Sequence, residues 1–199
     1  MTKKHRKETF HDDEEFDDID NNTHESRILY LDGTVDEETA RDVITEILQY
    51  NHEDDAADKK KKDFIRRPIK LIVNTYGGSV YDGFGMVTVI ETSKTPVHTY
   101  VYGKSMSMGF LIAAAGHKRF GGKMATFMYH QIASWAYGKL EELKDTVVEM
   151  ERLQEMYDRY LLSVTQIKRS DLSPSKEKRN EWYLGSDEAI KFGLIDEII

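Results

Sequence analysis

The chain has 199 residues, of which 39% are hydrophobic and 32% charged, a composition that suits one compact water-soluble domain. No apolar run approaches the roughly 20 residues a membrane helix needs, and a formal net charge of -8 argues against a broad nucleic-acid surface. The absence of cysteine excludes disulfides, thiolate metal sites and cysteine nucleophiles, and it fits a reducing, cytoplasmic setting.

Residues 1 to about 25 are polar and charge-blocked, opening MTKKHRKETFHDDEEFDD, without the apolar core of a secretory signal. They predict a flexible charged tail, and residues 26–199 a single domain. Order is expected to begin with an apolar strand at Ile28–Leu31, followed by a turn at Asp32-Gly33-Thr34. Asp36 is placed to cap a helix carrying Val43, Ile44, Ile47 and Leu48 on one face. Residues 51–67, which include EDDAADKKKKD, read as a solvated surface insertion. A β-branched strand at Ile69–Val73 leads into a turn over Asn74–Ser79, and a helix spans Tyr81–Thr92. A strand at Val97–Tyr102, a turn at Gly103–Ser107, a small-residue helix at Met108–Ala115 and a strand at Met124–His130 follow. From Lys139 to about Thr165 the spacing of Leu143, Val147, Met150, Tyr157, Tyr160 and Val164 predicts one long amphipathic helix. A short helix at Asp187–Phe192, capped by Gly193, precedes a terminal strand. Strands alternating with helices make the fold class α/β.

Chemistry concentrates at two strand-to-helix turns and one strand end. Helix N-termini carry unpaired N–H groups and partial positive charge, so they can hold a developing oxyanion. The first turn is Gly77-Gly78-Ser79, where glycine lets the backbone approach a ligand closely. The second is Ser105-Met106-Ser107-Met108-Gly109. A serine at a sharp turn of this kind presents its hydroxyl outward, but spacing alone does not choose between Ser105 and Ser107, and either could be an ordinary helix cap. His130 ends an apolar strand and can serve as the base a serine needs. His5, His11, His24, His52, His98 and His117 show no ligand spacing, so no metal site is expected.

Taken in order, I-V-N-T-Y-G-G-S-V at 72–80, G-K-S-M-S-M-G-F-L-I-A-A-A-G at 103–116, M-Y-H-Q at 128–131 and W-Y-L-G-S-D-E-A-I-K-F-G-L-I-D at 182–196 resemble the Clp protease proteolytic subunit (ClpP) family. The resemblance runs from about Arg27 to Ile199. It implies a ClpP/crotonase-like spiral of ββα units with a long protruding handle helix. It implies Ser107 as nucleophile, His130 as base, and the N–H groups of Gly78 and Met108 as an oxyanion hole. The family's orienting aspartate falls at Glu181, with Asn180 and Asp171 as neighbouring candidates. A glutamate can orient imidazole as well.

The sequence departs from the family pattern in three places. Ile132 stands where proline is usual, Ala133–Gly138 replaces a glycine-rich strand, and the charged segment around Asp54–Lys62 is longer. The resemblance further implies a homo-oligomer of stacked heptameric rings that hydrolyses peptides or unfolded polypeptides inside a chamber. An AAA+ unfoldase would act as partner, without nucleic acid or membrane. The competing readings are a catalytically silent Clp-like subunit, a crotonase-type acyl-CoA enzyme, and a signal-peptide-peptidase-like Ser-Lys enzyme with Lys104 or another lysine as base.

Overall fold

A computed structural model of the chain describes residues 27–135, 137–177 and 180–199; the tail expected over residues 1 to about 25 lies outside them. Eight strands join in one sheet: β1 (Ile28–Val35), β2 (Ile69–Gly78), β3 (Val97–Val101), β4 (Lys104–Met106), β5 (Lys118–Gly121), β6 (Thr126–Tyr129), β7 (Trp182–Gly185) and β8 (Glu197–Ile198). The helices are α1 (Glu37–Asp58), α2 (Val80–Thr92), α3 (Met108–Ala114), α4 (Leu140–Val164), α5 (Arg169–Glu177) and α6 (Ser186–Lys191).

β2 is the hub. β1 runs parallel beside its length, β3 pairs with it at Ile69–Ile72, and β4 pairs at Thr75. The path from β7 to β8 therefore forks at β2, in the order β7-β6-β4-β2-β3-β5-β8, and the sheet curls. Only the β6–β7 pair is antiparallel among the described strands. Ile69, Leu71, Val73 and Thr75 alternate inward along β2, the period-two pattern of a strand packed on one face. This is the α/β architecture expected.

Several boundaries differ from the sequence reading. Asp32-Gly33-Thr34 does not turn the chain. β1 runs through it, with a register shift between Gly33 and Thr34 where Gly33 takes φ +92°. β2 likewise continues through Asn74–Gly78, because β1 and β4 supply ladder partners that the sequence does not display.

The charged insertion is half helix. α1 reaches Asp58, and Tyr50 and Asp54 continue the buried stripe of Val43 and Ile47 at spacings of three and four. Asp54 is 1% exposed. Its carboxylate receives Arg27 at 2.5 and 2.8 Å and the Thr95 hydroxyl at 2.7 Å. Burial works against its charge, but the Arg27 and Thr95 bonds outweigh it and hold the carboxyl below its ordinary value. Arg66 pairs with Asp55 nearby.

The long helix α4 spans the predicted segment, but its two halves differ. Leu153, Gln154, Tyr157, Asp158 and Leu161 are buried, whereas Val147 and Val148 are exposed. β4 replaces most of the turn expected over Gly103–Ser107, and β5, β7 and α5 are further additional elements.

Candidate active site

β2 and β4 run parallel at Thr75 and Ser105, and both end in a turn that opens a helix. This juxtaposition stacks the two glycine- and serine-bearing turns. A Cβ on Gly77 would meet Ser107 Cβ at 2.6 Å, Met106 O at 2.8 Å and Met108 N at 2.9 Å, so only glycine lets the turns approach this closely.

Ser107 has φ 52° and ψ -122°, a conformation L residues rarely adopt and one that costs about 1–3 kcal/mol. The surrounding bonds over-determine it. Ser107 N–H donates to Met128 O at 2.8 Å, and its carbonyl accepts from Phe110 N–H at 3.0 Å and from the Tyr157 hydroxyl at 2.9 Å. Although Ser107 is the N-cap of α3 by position, its hydroxyl makes no capping bond. It lies 2.8 Å from His130 Nε2 instead.

The two serines are thereby distinguished. Ser105 is fully buried inside β4 with no hydrogen-bond partner for its hydroxyl, while Ser107 lines a cleft with His130. That cleft, of about 360 Å³, is also lined by Gly77, Gly78, Met108 and Tyr157. Met108 is the first residue of α3, so its N–H has no acceptor within the helix. A second pocket of about 610 Å³ shares Gly78, Val80, Ile132 and Ala133 with the cleft and extends to Met150 and Leu153 of α4. Lys104, considered as a base, lies over the Tyr76 ring at 4.5 Å and 3.4 Å from Asn74 Oδ1.

Glu181 immediately precedes β7, and extending the β6–β7 register one step past its last pair, Tyr129 with Trp182, places it opposite His130 on the facing chain. Its carboxylate accepts from the Tyr183 hydroxyl at 2.6 Å. It does not line the cleft, and among the described hydrogen bonds it makes none to His130. Asp171 accepts from Lys168 N–H at 2.8 Å, at the start of α5.

Sequence reasoning missed a buried polar cluster behind the site. Gln154 donates to Tyr129 at 3.1 Å and to Asp158 at 2.8 Å, and its carbonyl accepts from Ile132 N–H at 2.7 Å. Tyr129 donates to Asp158 at 2.8 Å. Burial, and then the neighbouring Asp158 charge, pushes the Tyr129 phenol far up. Burial, then Tyr129 and Asp158, does the same to Tyr157, so both hydroxyls remain donors. Of these residues the sequence shows Tyr129 within M-Y-H-Q, Ile132 in place of the usual proline and Tyr157 as one more member of an apolar stripe, and none of them as part of a polar cluster. Among the described residues no group of His, Asp and Glu could hold a metal, and no helix is long and apolar enough to cross a membrane.

A serine hydroxyl on a strained strand-to-helix elbow, bonded to an imidazole and beside a helix N-terminus, is the arrangement of the serine hydrolases. Comparison narrows the class. A family model described as Clp protease matches residues 11–199. The chain is 30% identical over 176 residues to ATP-dependent Clp protease proteolytic subunit 1 of Prochlorococcus marinus (strain MIT 9312), covering 87% of this chain and 84% of that protein. It is 28% identical over 175 residues to the protein of the same name from Prochlorococcus marinus subsp. pastoris (strain CCMP1986 / NIES-2087 / MED4), covering 87% and 83%. The chain belongs to the Clp protease family and is a serine-type peptidase of that family. The acyl-CoA reading is not favoured.

Proposed function

We propose that Ser107 is the nucleophile of this peptidase and His130 its base. The observation that carries the assignment is the 2.8 Å contact between Ser107 Oγ and His130 Nε2 at a strained elbow. In this reading His130 Nε2 takes the Ser107 proton as Oγ attacks the peptide carbonyl. The N–H groups of Gly78 and Met108 receive the oxyanion, each worth about 10²–10³ in rate. His130 then protonates the leaving amine as the C–N bond breaks. Water, deprotonated by His130, attacks the acyl-enzyme, and the proton returns to Ser107 Oγ. Glu181 is the carboxylate we assign to orient His130, reaching it once released from Tyr183.

The two relatives are named as proteolytic subunits of ATP-dependent proteases. We extend this to the chain: it degrades peptides and unfolded polypeptides in the cytoplasm, in a chamber of stacked heptameric rings fed by an AAA+ unfoldase. Residues 26–199 form the peptidase domain, preceded by the charged segment 1–25.

The test is intact mass after treatment with a fluorophosphonate. One adduct is expected on the wild type and none on Ser107→Ala or His130→Ala, with slower labelling of Glu181→Ala. Labelling of Ser107→Ala at the wild-type rate would refute the nucleophile, and an unlabelled, folded and assembled wild type would indicate a silent subunit.

A further inference from the structure

Three residues within little more than one turn of α4 reach both halves of the site. Gln154 binds the backbone N–H of Ile132 and the hydroxyl of Tyr129, on either side of His130. Tyr157, 3% exposed and packed on Tyr129 with ring centroids 5.7 Å apart, donates its hydroxyl to the carbonyl of Ser107 at 2.9 Å. Asp158 closes the cluster through Tyr129 and Gln154. The Ile132 contact uses an N–H that proline, usual at this position, would lack.

The Tyr157 bond has a directional consequence. The carbonyl of Ser107 and the N–H of Met108 belong to one planar trans peptide, so they point in opposite senses. Fixing the oxygen therefore fixes where the N–H aims. The other donor to that oxygen, Phe110 N–H, lies within the same chain turn at 3.0 Å and moves with it. Tyr157 comes from a separate element and ties the peptide to the body of the protein. We propose that Tyr157 is a positioning residue for the peptidase reaction, its hydroxyl holding the Ser107–Met108 peptide so that Met108 N–H faces the developing oxyanion. The role deepens the reading of Ser107 as nucleophile and rests on it.

The consequence is confined to the transition state. A ground-state carbonyl gains little from the donor, whereas the tetrahedral oxyanion gains much. Tyr157→Phe keeps the ring and its packing and deletes one donor. In the assembled full-length chain we expect kcat on a short fluorogenic peptide to fall about 10-fold, a part of the 10²–10³-fold loss that follows removal of a whole oxyanion donor. KM is expected to stay within about twofold, the pattern of an interaction made only in the transition state. The Ki of a peptide boronic acid, which forms a tetrahedral adduct on serine, should rise by the same factor as kcat falls.

Because Tyr157 is buried, a second variant guards against a folding defect. Placing 3-fluorotyrosine at 157 retains the hydroxyl donor and should keep wild-type kcat and Ki. Ser107→Ala, run in parallel, should be inactive. A Tyr157→Phe protein with unchanged kcat and boronate Ki would overturn the positioning role, whatever its melting temperature, if Ser107→Ala is dead. A 3-fluorotyrosine protein as slow as Tyr157→Phe would also overturn it. Full turnover by Ser107→Ala would instead remove the nucleophile assignment beneath it.

Discussion

Gly33 and Gly77 offer a matched pair of substitutions that separates backbone strain from steric disruption of the elbow. Both adopt positive φ, +92° and +100°, so alanine at either pays a similar conformational cost of about 1–3 kcal/mol. Their surroundings differ. A Cβ on Gly33 meets nothing within 4 Å, while one on Gly77 lies 2.6 Å from Ser107 Cβ, against 3.4 Å for ordinary contact. Two of the three atoms it strikes are backbone, Met106 O and Met108 N, and cannot rotate away. The elbow must therefore recede by about 0.8 Å at its closest point, taking Ser107 and the Met108 N–H with it. A displacement of about 1 Å in a reacting group costs on the order of 10² in rate, and overpacking adds about 1–3 kcal/mol to the stability loss. Gly33→Ala should unfold in urea about 1–3 kcal/mol earlier and keep near-normal fluorophosphonate labelling when folded. Gly77→Ala should lose more stability and label on the order of 100-fold more slowly. Equal labelling rates in the two folded variants would refute the argument that the stacked turns set the geometry of Ser107.

Two further outcomes are expected. Arg27→Ala leaves Asp54 buried beside Thr95 without its main cation, and breaking such a pair should cost about 3–5 kcal/mol in a denaturant titration. The folded carboxyl of Asp54 lies below its unfolded value of 3.8. Its stabilisation is therefore present above pH 3.8 and lost as the pH falls from there through the folded value. Below that range Arg27→Ala and wild type should converge in stability; a gap independent of acid pH would refute the pairing. At the site, Tyr183→Phe removes the competitor that holds the Glu181 carboxylate at 2.6 Å. If Glu181 serves His130, labelling should quicken about 2–10-fold, the worth of one hydrogen bond. Glu181→Gln labelling at the wild-type rate would exclude that role.

Elements with a strong period or a local stop signal were legible. α4 displays its stripe, α1 its Asp36 cap with the Thr39 side chain returning the bond, and α3 its run of small apolar residues. β5 and β7 were not legible. Each has four residues and finds its partner far along the chain, Lys118 against His98 and Trp182 against Tyr129, so neither carries a period long enough to register. α5 carries Pro174 inside it, a residue that breaks helical hydrogen bonding and so hides the helix from a sequence pattern. The acidic string around Asp54 looked solvated because its cation, Arg27, lies 27 positions away. Motif order pointed to Ser107 over Ser105, and the structure distinguishes the two by burial and by the hydroxyl's partner. Tyr157 was hidden because a tyrosine on an apolar stripe looks like any other core aromatic until its hydroxyl has somewhere to go.

The division of α4 has a consequence for how the molecule breathes. At 1.5 Å per residue the 25-residue helix is about 37 Å long, and none of its residues before Leu153 is buried. Its leading half touches the body through half-buried side chains and through Glu149, which accepts from the Tyr81 hydroxyl at 2.7 Å; a helical stretch of that length is marginal in water by itself, so this is the part that frays first. Gln154, Tyr157 and Asp158 all lie beyond that boundary, in the half that opens only when the core does. Amide exchange along the helix should therefore step down sharply near Leu153, and the anchors of Ser107 and His130 sit on the slow side of that step. Thermal melting of the outer turns thus need not reach the hydroxyl that the peptidase depends on.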